Sequence, residues 1–281
     1  MSKLLVIDLS NFIYRAFYAI TPLNSPDGTP VNAVYGVLGM VHNLITKYKP
    51  THVVVARESS SVDSIRKAIY PEYKATRSSM PDDLSIQFPI IEEMIRGLEM
   101  VQVSISGYEA DDVIGCIATQ WKDKFDEIII ATGDKDMLQF VGAQVSVVDT
   151  LKKITYGREE VRSKMGVYPE SIVDFLALVG DTSDNIPGVQ GIGPKSAIAL
   201  IEEYGSLEGI LGNVGSIKSK RSKTCLENGI DKAKLSKDLV TIRVDLPLNK
   251  SPEDCLYSIH STPELNAFFD RLGFQSWKGR F

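Results

Sequence analysis

Apolar residues follow two rhythms along this chain. In the first half, short runs rich in Val, Ile and Leu occur at Leu4–Ile7, Val53–Ala56, Val101–Ser104, Ile128–Ala131 and Val145–Val148. Between them, stretches 33–47, 83–99 and 110–124 repeat apolar residues with helical spacing. Short continuous apolar runs suit strands buried on both faces, and their alternation with helices predicts βαβ units in a mostly parallel, doubly wound sheet. Such a sheet binds ligands beyond the carboxyl ends of its strands. After about Tyr168 the strand rhythm stops and only helical spacing remains, punctuated by glycine. The pattern predicts an α/β core over 1–168 and a helical subdomain over 169–281. The tail ELNAFFDRLGFQSW reads as a last amphipathic helix that docks back on the body. Between Ser59 and Pro81 neither rhythm holds. The run SSSVDSIRKAIYPEYKATRSSMP is polar, basic and aromatic, and long for a connection inside a compact domain, which marks it as a functional or mobile insertion.

Acidic residues gather where the apolar runs end. Asp8 closes LLVID, Glu109, Asp111 and Asp112 sit in GYEADDVIG, Asp134 and Asp136 follow EIIIATG, and Asp181 and Asp184 sit in VGDTSDNIPG. A single acid in such a place is ordinarily a helix cap or a solvated loop residue. That does not explain acids at four separate boundaries of one fold. Converged carboxylates repel one another, so a cluster of them exists to hold hard cations. Mg²⁺ takes one or two carboxylates directly and keeps several waters, so a cluster of this size implies two ions, Mg²⁺ or Mn²⁺, with acids in the outer shell. Two such ions cleave phosphodiesters.

The net charge of −5 over 281 residues argues at first against a nucleic-acid partner. Once the clustered acids are set aside, the remaining surface is net basic, and local distribution decides binding. In IRKAIYPEYKATR, the cations Arg66, Lys67, Lys74 and Arg77 alternate with Tyr70 and Tyr73. Cations can steer phosphates and tyrosines can stack on unpaired bases, although a solvated basic face with core tyrosines would read the same way. GVQGIGPKSA carries Gly188, Gly191 and Gly193 ahead of Lys195. Glycines allow close approach to phosphate, and the following helix offers free N–H groups and its positive dipole end. IVDFLALVGD upstream reads as a helix, which rules against a dinucleotide loop; an ordinary Gly-rich interhelical turn would read the same way, and the position directly after Asp181 and Asp184 favours a helix–hairpin–helix gripping a nucleic-acid backbone. Lys218, Lys220, Arg221 and Lys223 in GSIKSKRSKT either extend that track or form a solvated face. The three cysteines Cys116, Cys225 and Cys255 are scattered, without zinc spacing, and suit a reducing cytoplasm. His42, His52 and His260 show no metal or triad spacing. The start MSKLLVIDLS lacks a long apolar segment, so neither a signal peptide nor a membrane span is expected.

Taken together, LLVIDLSNFIYRAFYA, PVNAVYGV, YPEYKATR, YEADDVIG, ATGDKDMLQ and GDTSDNIPGVQGIGPKSA resemble the bacterial 5′ nuclease family of flap endonuclease relatives. The nearest likeness is to the 5′→3′ exonuclease domain of DNA polymerase I and its stand-alone versions, over nearly the whole chain, to about Leu248, with LGFQSW also fitting. The resemblance implies a nuclease core of the PIN-like class with a helical arch at about 59–81. It implies that the eight acids bind two divalent ions, with Asp8 and Asp112 among the catalytic acids. Lys74 and Arg77 would contact the scissile phosphate, and Arg66 and Tyr73 would line the arch. Arg15 would lie near the DNA path. The Gly188–Lys195 hairpin would hold duplex, with a K⁺ ion on its carbonyls, flanked by Lys218, Lys220 and Arg221. The implied activity is hydrolysis of DNA at 5′ ends, flaps and nicked or branched duplexes, leaving a 5′-phosphate, by a monomer in replication and repair.

One position departs from the family pattern. Where an apolar strand would end in a metal-ligand Asp, this chain reads VVVARESSS, with Arg57 in that place. An arginine cannot ligate Mg²⁺. Arg57 would compete with the ions for the carboxylates, so cleavage would be slow or lost; the metal-dependent 5′ nuclease stays the leading reading, and a structure-selective DNA-binding protein with weak or lost catalysis is its rival. Glu58 and Asp63 are nearby acids, but residues adjacent on a strand end point in different directions. A related ribonuclease is the third reading.

Overall fold

A computed structural model of the chain describes residues 1–59, 64–258 and 260–281. Residues 60–63, which include Asp63 and part of the expected arch, lie outside the described residues.

The apolar runs of the first half are strands: β1 (Lys3–Asp8), β2 (His52–Ala56), β3 (Val101–Val103), β4 (Glu127–Ala131) and β5 (Val145–Asp149). A short β6 (Ile154–Tyr156) adds one edge, and its three residues are too brief to stand out as a run. Among the described residues these form one sheet in the order β3-β2-β1-β4-β5-β6, parallel except for β6. β1 lies inside the sheet, with Asp8 opposite Ala56 of β2 and Ile7 opposite Ala131 of β4.

Strand alternation sorts the apolar side chains into two cores. Leu5, Ile7, Val53, Val55, Ile129 and Ala131 face one way. They pack under α1 (Leu9–Ala19) and α2 (Asn32–Tyr48). Leu4, Val6, Val54, Ala56, Ile128 and Ile130 face the other way. Each of these strand residues is at most 1% exposed, and full burial of one such side chain contributes roughly 1.5–3 kcal/mol. A short α3 (Ile65–Ile69) follows β2, and α4 (Asp82–Gly97) adds Leu84, Ile91, Met94 and Ile95 to the α1–α2 side. The N-terminus of α2 has no cap of its own; buried Gln87 of α4 accepts from the N–H groups of Ala33 and Val34 at 2.8 and 3.3 Å.

α5 (Ala110–Gln120) covers the second face and joins it to the helical half: α6 (Arg158–Met165), α7 (Ile172–Val179), α8 (Pro194–Tyr204), α9 (Leu207–Gly212) and α10 (Lys220–Val240). The tail forms α11 (Pro263–Leu272), and Phe268, Phe269, Leu272, Phe274 and Trp277 pack back on the α1–α2–α4 side.

The parallel strands run the same way, so their carboxyl ends share one edge. β1 ends there in Asp8, and Asp134 and Asp136 follow β4 there. A loop from the helical half reaches that edge. It is the turn 180–188, pinched shut where Asp181 and Ile186 form a β-bridge. Its two ends are Gly180 and Gly188, both with positive φ (79° and 58°). A Cβ on Gly188 would lie 2.4 Å from the Gly180 nitrogen and 2.5 Å from the Val179 carbonyl carbon. Backbone cannot move aside there, so Gly188→Ala should destabilise the fold by roughly 2–4 kcal/mol. Gly193→Ala, whose Cβ meets open space at φ −99°, should cost no more than about 1 kcal/mol. Urea unfolding of the two variants checks this contrast.

Candidate active site

The acids fall into two groups at the edge. Asp8 caps α1, accepting from the Asn11 N–H at 3.0 Å and from the Thr132 hydroxyl at 2.7 Å. Asp111 enters from the first turn of α5. These two line a cleft of about 410 Å³ with Asp134, Glu58, Lys74 and Arg77. The second group is Asp136, Asp181 and Asp184, which each offer a carboxylate oxygen, all within 4.8 Å of one another. Asp134 ties the groups together by accepting the Asp136 N–H at 2.9 Å.

Burial and mutual repulsion set the charge state of these acids. Burial, then the charges of Asp134 and Glu58, raise Asp8 to about 6, against the lowering effect of its two hydrogen bonds. Burial and the Asp134 charge push Asp136 up to about 8. Asp111 is raised as well, by burial and by Asp134 and Asp8. Asp181 is the exception: burial raises it, but Lys135 at 2.5 Å and Ser183 outweigh that and hold it below the usual range.

Basic side chains of the segment after β2 stand among the same acids. Lys74 pairs with Glu109 at 2.8 Å and lies 3.8 Å from Asp184, and Arg77 pairs with Asp184 at 2.6 Å. Lys74 holds a left-handed φ of 57°, a strained setting for a lysine, fixed by its N–H donating to the Asp184 carbonyl at 2.9 Å. Asn185 fastens the same loops by donating to the Glu72 carbonyl at 2.7 Å.

Residues 64–77 therefore fold down onto the body rather than standing free, and several expected roles change. Arg66 is 8% exposed and cannot meet a phosphate. Its guanidinium forks onto Asp112 at 2.7 and 2.8 Å and donates to the Leu239 carbonyl at 2.9 Å. Asp112 in turn is fully buried, with each oxygen taken: besides Arg66 it accepts the N–H groups of Arg243 at 2.9 Å and Glu109 at 3.2 Å. It braces the interior beneath α10 and does not line the cleft that Asp111 enters. The reason is helical geometry: Asp111 and Asp112 are about 100° apart around α5, so one faces the cleft and the other the interior. Tyr73 is 3% exposed and donates to Glu109 at 3.0 Å, which leaves no ring face for a base. Gly188 is buried and donates to Ser236 Oγ at 3.0 Å, so it closes a loop instead of approaching phosphate.

Arg15 lines the cleft, but its two terminal nitrogens donate to Asp149 at 2.7 and 3.2 Å. Its guanidinium lies where a side chain on Gly133 would stand, with a Cβ there only 1.8 Å away. Arg57 does not compete for the cluster: it pairs with Glu92 of α4 at 2.8 Å and reaches Gln102 Oε1 at 3.4 Å. Gly191, Gly193 and Lys195 lie exposed at the start of α8, and Lys218, Lys220 and Arg221 are exposed around the start of α10.

Three contributors were not among the candidates. Thr132 and Lys135 carried no charge pattern that set them apart from an ordinary strand end and turn. Asp149 did carry one, since it closes VSVVD as Asp8 closes LLVID. That signal would have misled: Asp149 is Arg15's partner.

A family model of the 5′-3′ exonuclease N-terminal resolvase-like domain matches residues 3–166. A second, of the 5′-3′ exonuclease C-terminal SAM fold, matches residues 167–262. The chain belongs to the 5′-3′ exonuclease family. It is 39% identical to DNA polymerase I of Bacillus caldotenax over 98% of its own length and 32% of that protein, so it spans about a third of that relative. It is 38% identical to a 5′-3′ exonuclease of Aquifex aeolicus, over 97% of this chain and 91% of that one. Among solved structures, T5 5′-exonuclease with divalent zinc bound shares the fold at a TM-score of 0.73 and 20% identity, over 98% of this chain and 99% of that one. The acids of the present chain are arranged to take a cation. Asp136 is at most 9% exposed, and its Oδ1 is buried without a hydrogen-bond partner among the described residues, beside two further carboxylates. That is a poor arrangement without a cation and a good one with it.

Two outcomes are expected. Because the folded protein binds the Asp136 proton more tightly than the unfolded chain, the stability it contributes is present at low pH and lost as pH rises through about 8. With chelator present, this contribution should fade between about pH 4 and pH 8 and level off above it, so the melting temperature of the unaltered chain should fall relative to that of Asp136→Asn over that window, and excess Mg²⁺ should remove the difference near pH 8. Arg66→Met, which strands Asp112 in the interior, should cost roughly 3–5 kcal/mol in urea unfolding, and Arg66→Met with Asp112→Leu should recover most of it.

Proposed function

We propose that the chain is a divalent-metal-dependent 5′ nuclease that hydrolyses DNA at 5′ ends and at the flaps of nicked or branched duplexes. The observation that carries this reading is a cleft lined by Asp8, Asp111, Asp134, Lys74 and Arg77 at the carboxyl edge of a parallel sheet, adjoined by the Asp136–Asp181–Asp184 group through Asp134 and the Arg77–Asp184 pair. Asp136, Asp181 and Asp184 would hold one ion, and Asp8, Asp111 and Asp134 the other, with Glu109 in support. Mg²⁺ or Mn²⁺ bound there supplies a Lewis acid for the phosphoryl oxygens and acidifies water near neutral pH.

The remaining work falls to this chain's own side chains. Lys74 and Arg77 neutralise Glu109 and Asp184. With divalent ions held by those carboxylates, Lys74 and Arg77 would be free to face the scissile phosphate and stabilise its developing negative charge. At the start of α8, the amides that follow Pro194 have no side-chain cap, and Lys195 lies beside them. They suit a duplex phosphate, with the hairpin carbonyls available to K⁺ and with Lys218, Lys220 and Arg221 extending the track. This reading carries a monomer working in the cytoplasm. The Arg57–Glu92 pair withdraws the feature on which a non-catalytic reading rested.

A labelled 5′-flap duplex tests the proposal. Cutting should require Mg²⁺ or Mn²⁺, stop with chelator, and favour a DNA flap over an RNA flap. Lys74→Ala should lose roughly 10²–10³-fold in rate, as removal of one charge-stabilising donor does. Binding should weaken steeply with salt. Cleavage indifferent to chelator, or none with either ion, would sink it.

A further inference from the structure

The turn that leaves β4, Thr132–Gly133–Asp134, is held by its neighbours on both sides. The Thr132 N–H donates to the Val148 carbonyl of β5 at 3.1 Å, and the Thr132 hydroxyl donates to Asp8 at 2.7 Å while accepting the Asp134 N–H at 3.1 Å. From α1, the Asn11 side chain accepts the Gly133 N–H at 2.9 Å, and the Asn11 N–H donates to Asp8 at 3.0 Å. Asn11 and Arg15 are four residues apart, so they share one face of that helix. The Arg15 guanidinium lies over Gly133: a Cβ there would meet Nη2, Cζ and Nη1 at 1.8, 1.9 and 2.4 Å. Gly133 does not hold a positive φ, so the backbone conformation would accept other residues and Arg15 alone demands glycine. The far end of Arg15 is fixed as well. Nη1 and Nη2 donate to the two oxygens of Asp149 at 2.7 and 3.2 Å. Asp149 closes β5, is fully buried, and accepts the N–H groups of Leu151 and Lys152 at 3.1 Å each.

We propose that Arg15 and Asp149 are positioning residues: their ion pair clamps Gly133 against Asn11 and thereby fixes how Thr132 and Asp134 are presented to Asp8 and the cleft. The inference rests on the metal-dependent reading above and names what keeps two of its carboxylates in place. A strand that leaves through glycine has no side chain to pack, so its path is set by what lies upon it. A forked pair between a guanidinium and a buried carboxylate is the most rigid lid available for that purpose. Arg15 thus works from behind the site, through Gly133, and not as a contact on the DNA path.

Mn²⁺ binding to the intact chain, read by electron paramagnetic resonance without DNA, tests this apart from catalysis. Two sites are expected in the unaltered protein. Gly133→Ala, which evicts the guanidinium, should weaken one of them roughly tenfold or more, as loss of a group that orients metal-binding carboxylates does. Arg15→Met should weaken the same site, and the two changes together no further than one alone, since both remove one clamp. In an Asp181→Asn/Asp184→Asn background, which removes the other site, the remaining site should be the weakened one. Arg15→Met with Asp149→Asn leaves no buried charge unpaired, so its melting temperature in chelator should return toward that of the unaltered chain while the Mn²⁺ site stays weak. Mn²⁺ affinity that recovers along with the melting temperature overturns the proposal, because the pair would then serve stability alone. Both sites unchanged in Gly133→Ala and Arg15→Met overturns it too, and flap binding lost in Arg15→Met but restored by Arg15→Lys would then make Arg15 a phosphate contact. Two Mn²⁺ bound and one weakened as expected, but no flap cut by the unaltered chain, would sink the nuclease reading and keep this one.

Discussion

Repulsion among buried carboxylates at one edge of the sheet is the constraint around which the rest of the molecule is arranged. Asp8, Asp111 and Asp136 are each pushed above the ordinary carboxylate range by burial first and then by neighbouring carboxylates, Asp134 in every case. A fold would not keep such a cluster unless cations offset it. Part of the offset is built in: Lys135 on Asp181, Lys74 on Glu109, and Arg77 on Asp184. Each of these bases comes from a loop, whereas Asp8 comes from the end of a strand buried in the sheet.

Two kinds of ion pair do different jobs here. Arg66–Asp112 and Arg15–Asp149 hold fully desolvated acids, with the guanidinium fork matched to the carboxylate. Arg66 also donates to the carbonyls of Leu239 and Thr241, so it stitches α3, α5 and the end of α10 into one body. That stitching brings the helical half against the sheet edge and delivers Asp181 and Asp184 to the cluster. By contrast, Arg77 is 49% exposed at its side chain and pairs with Asp184 from the cleft side. Screening by water makes such a pair weak, and a weak pair is the one that can be given up to substrate.

Much of this was legible in the residues. The strands, the main helices and the change to an all-helical second half follow from periodicity, because burial on two faces demands continuous apolar runs and burial on one face demands helical spacing. The acids also announced themselves by position, since strand ends in a parallel sheet share an edge. β6 was not legible, since three residues carry no period, and neither were Thr132 and Lys135, whose roles come only from what lies opposite them.

The sequence by itself determined which charges meet at that edge; the tertiary structure alone decided which of them face the cleft. Asp111 and Asp112 are neighbours of one type, yet one points into the site and the other is locked under Arg66. Arg57 and Glu58 are also neighbours, and strand alternation sends the arginine to Glu92 and the glutamate toward Asp8. Composition cannot separate such pairs. A side chain's direction depends on the turn of its helix or the pleat of its strand, and its partner comes from a segment distant in the chain, so the roles exist only once those segments are packed together.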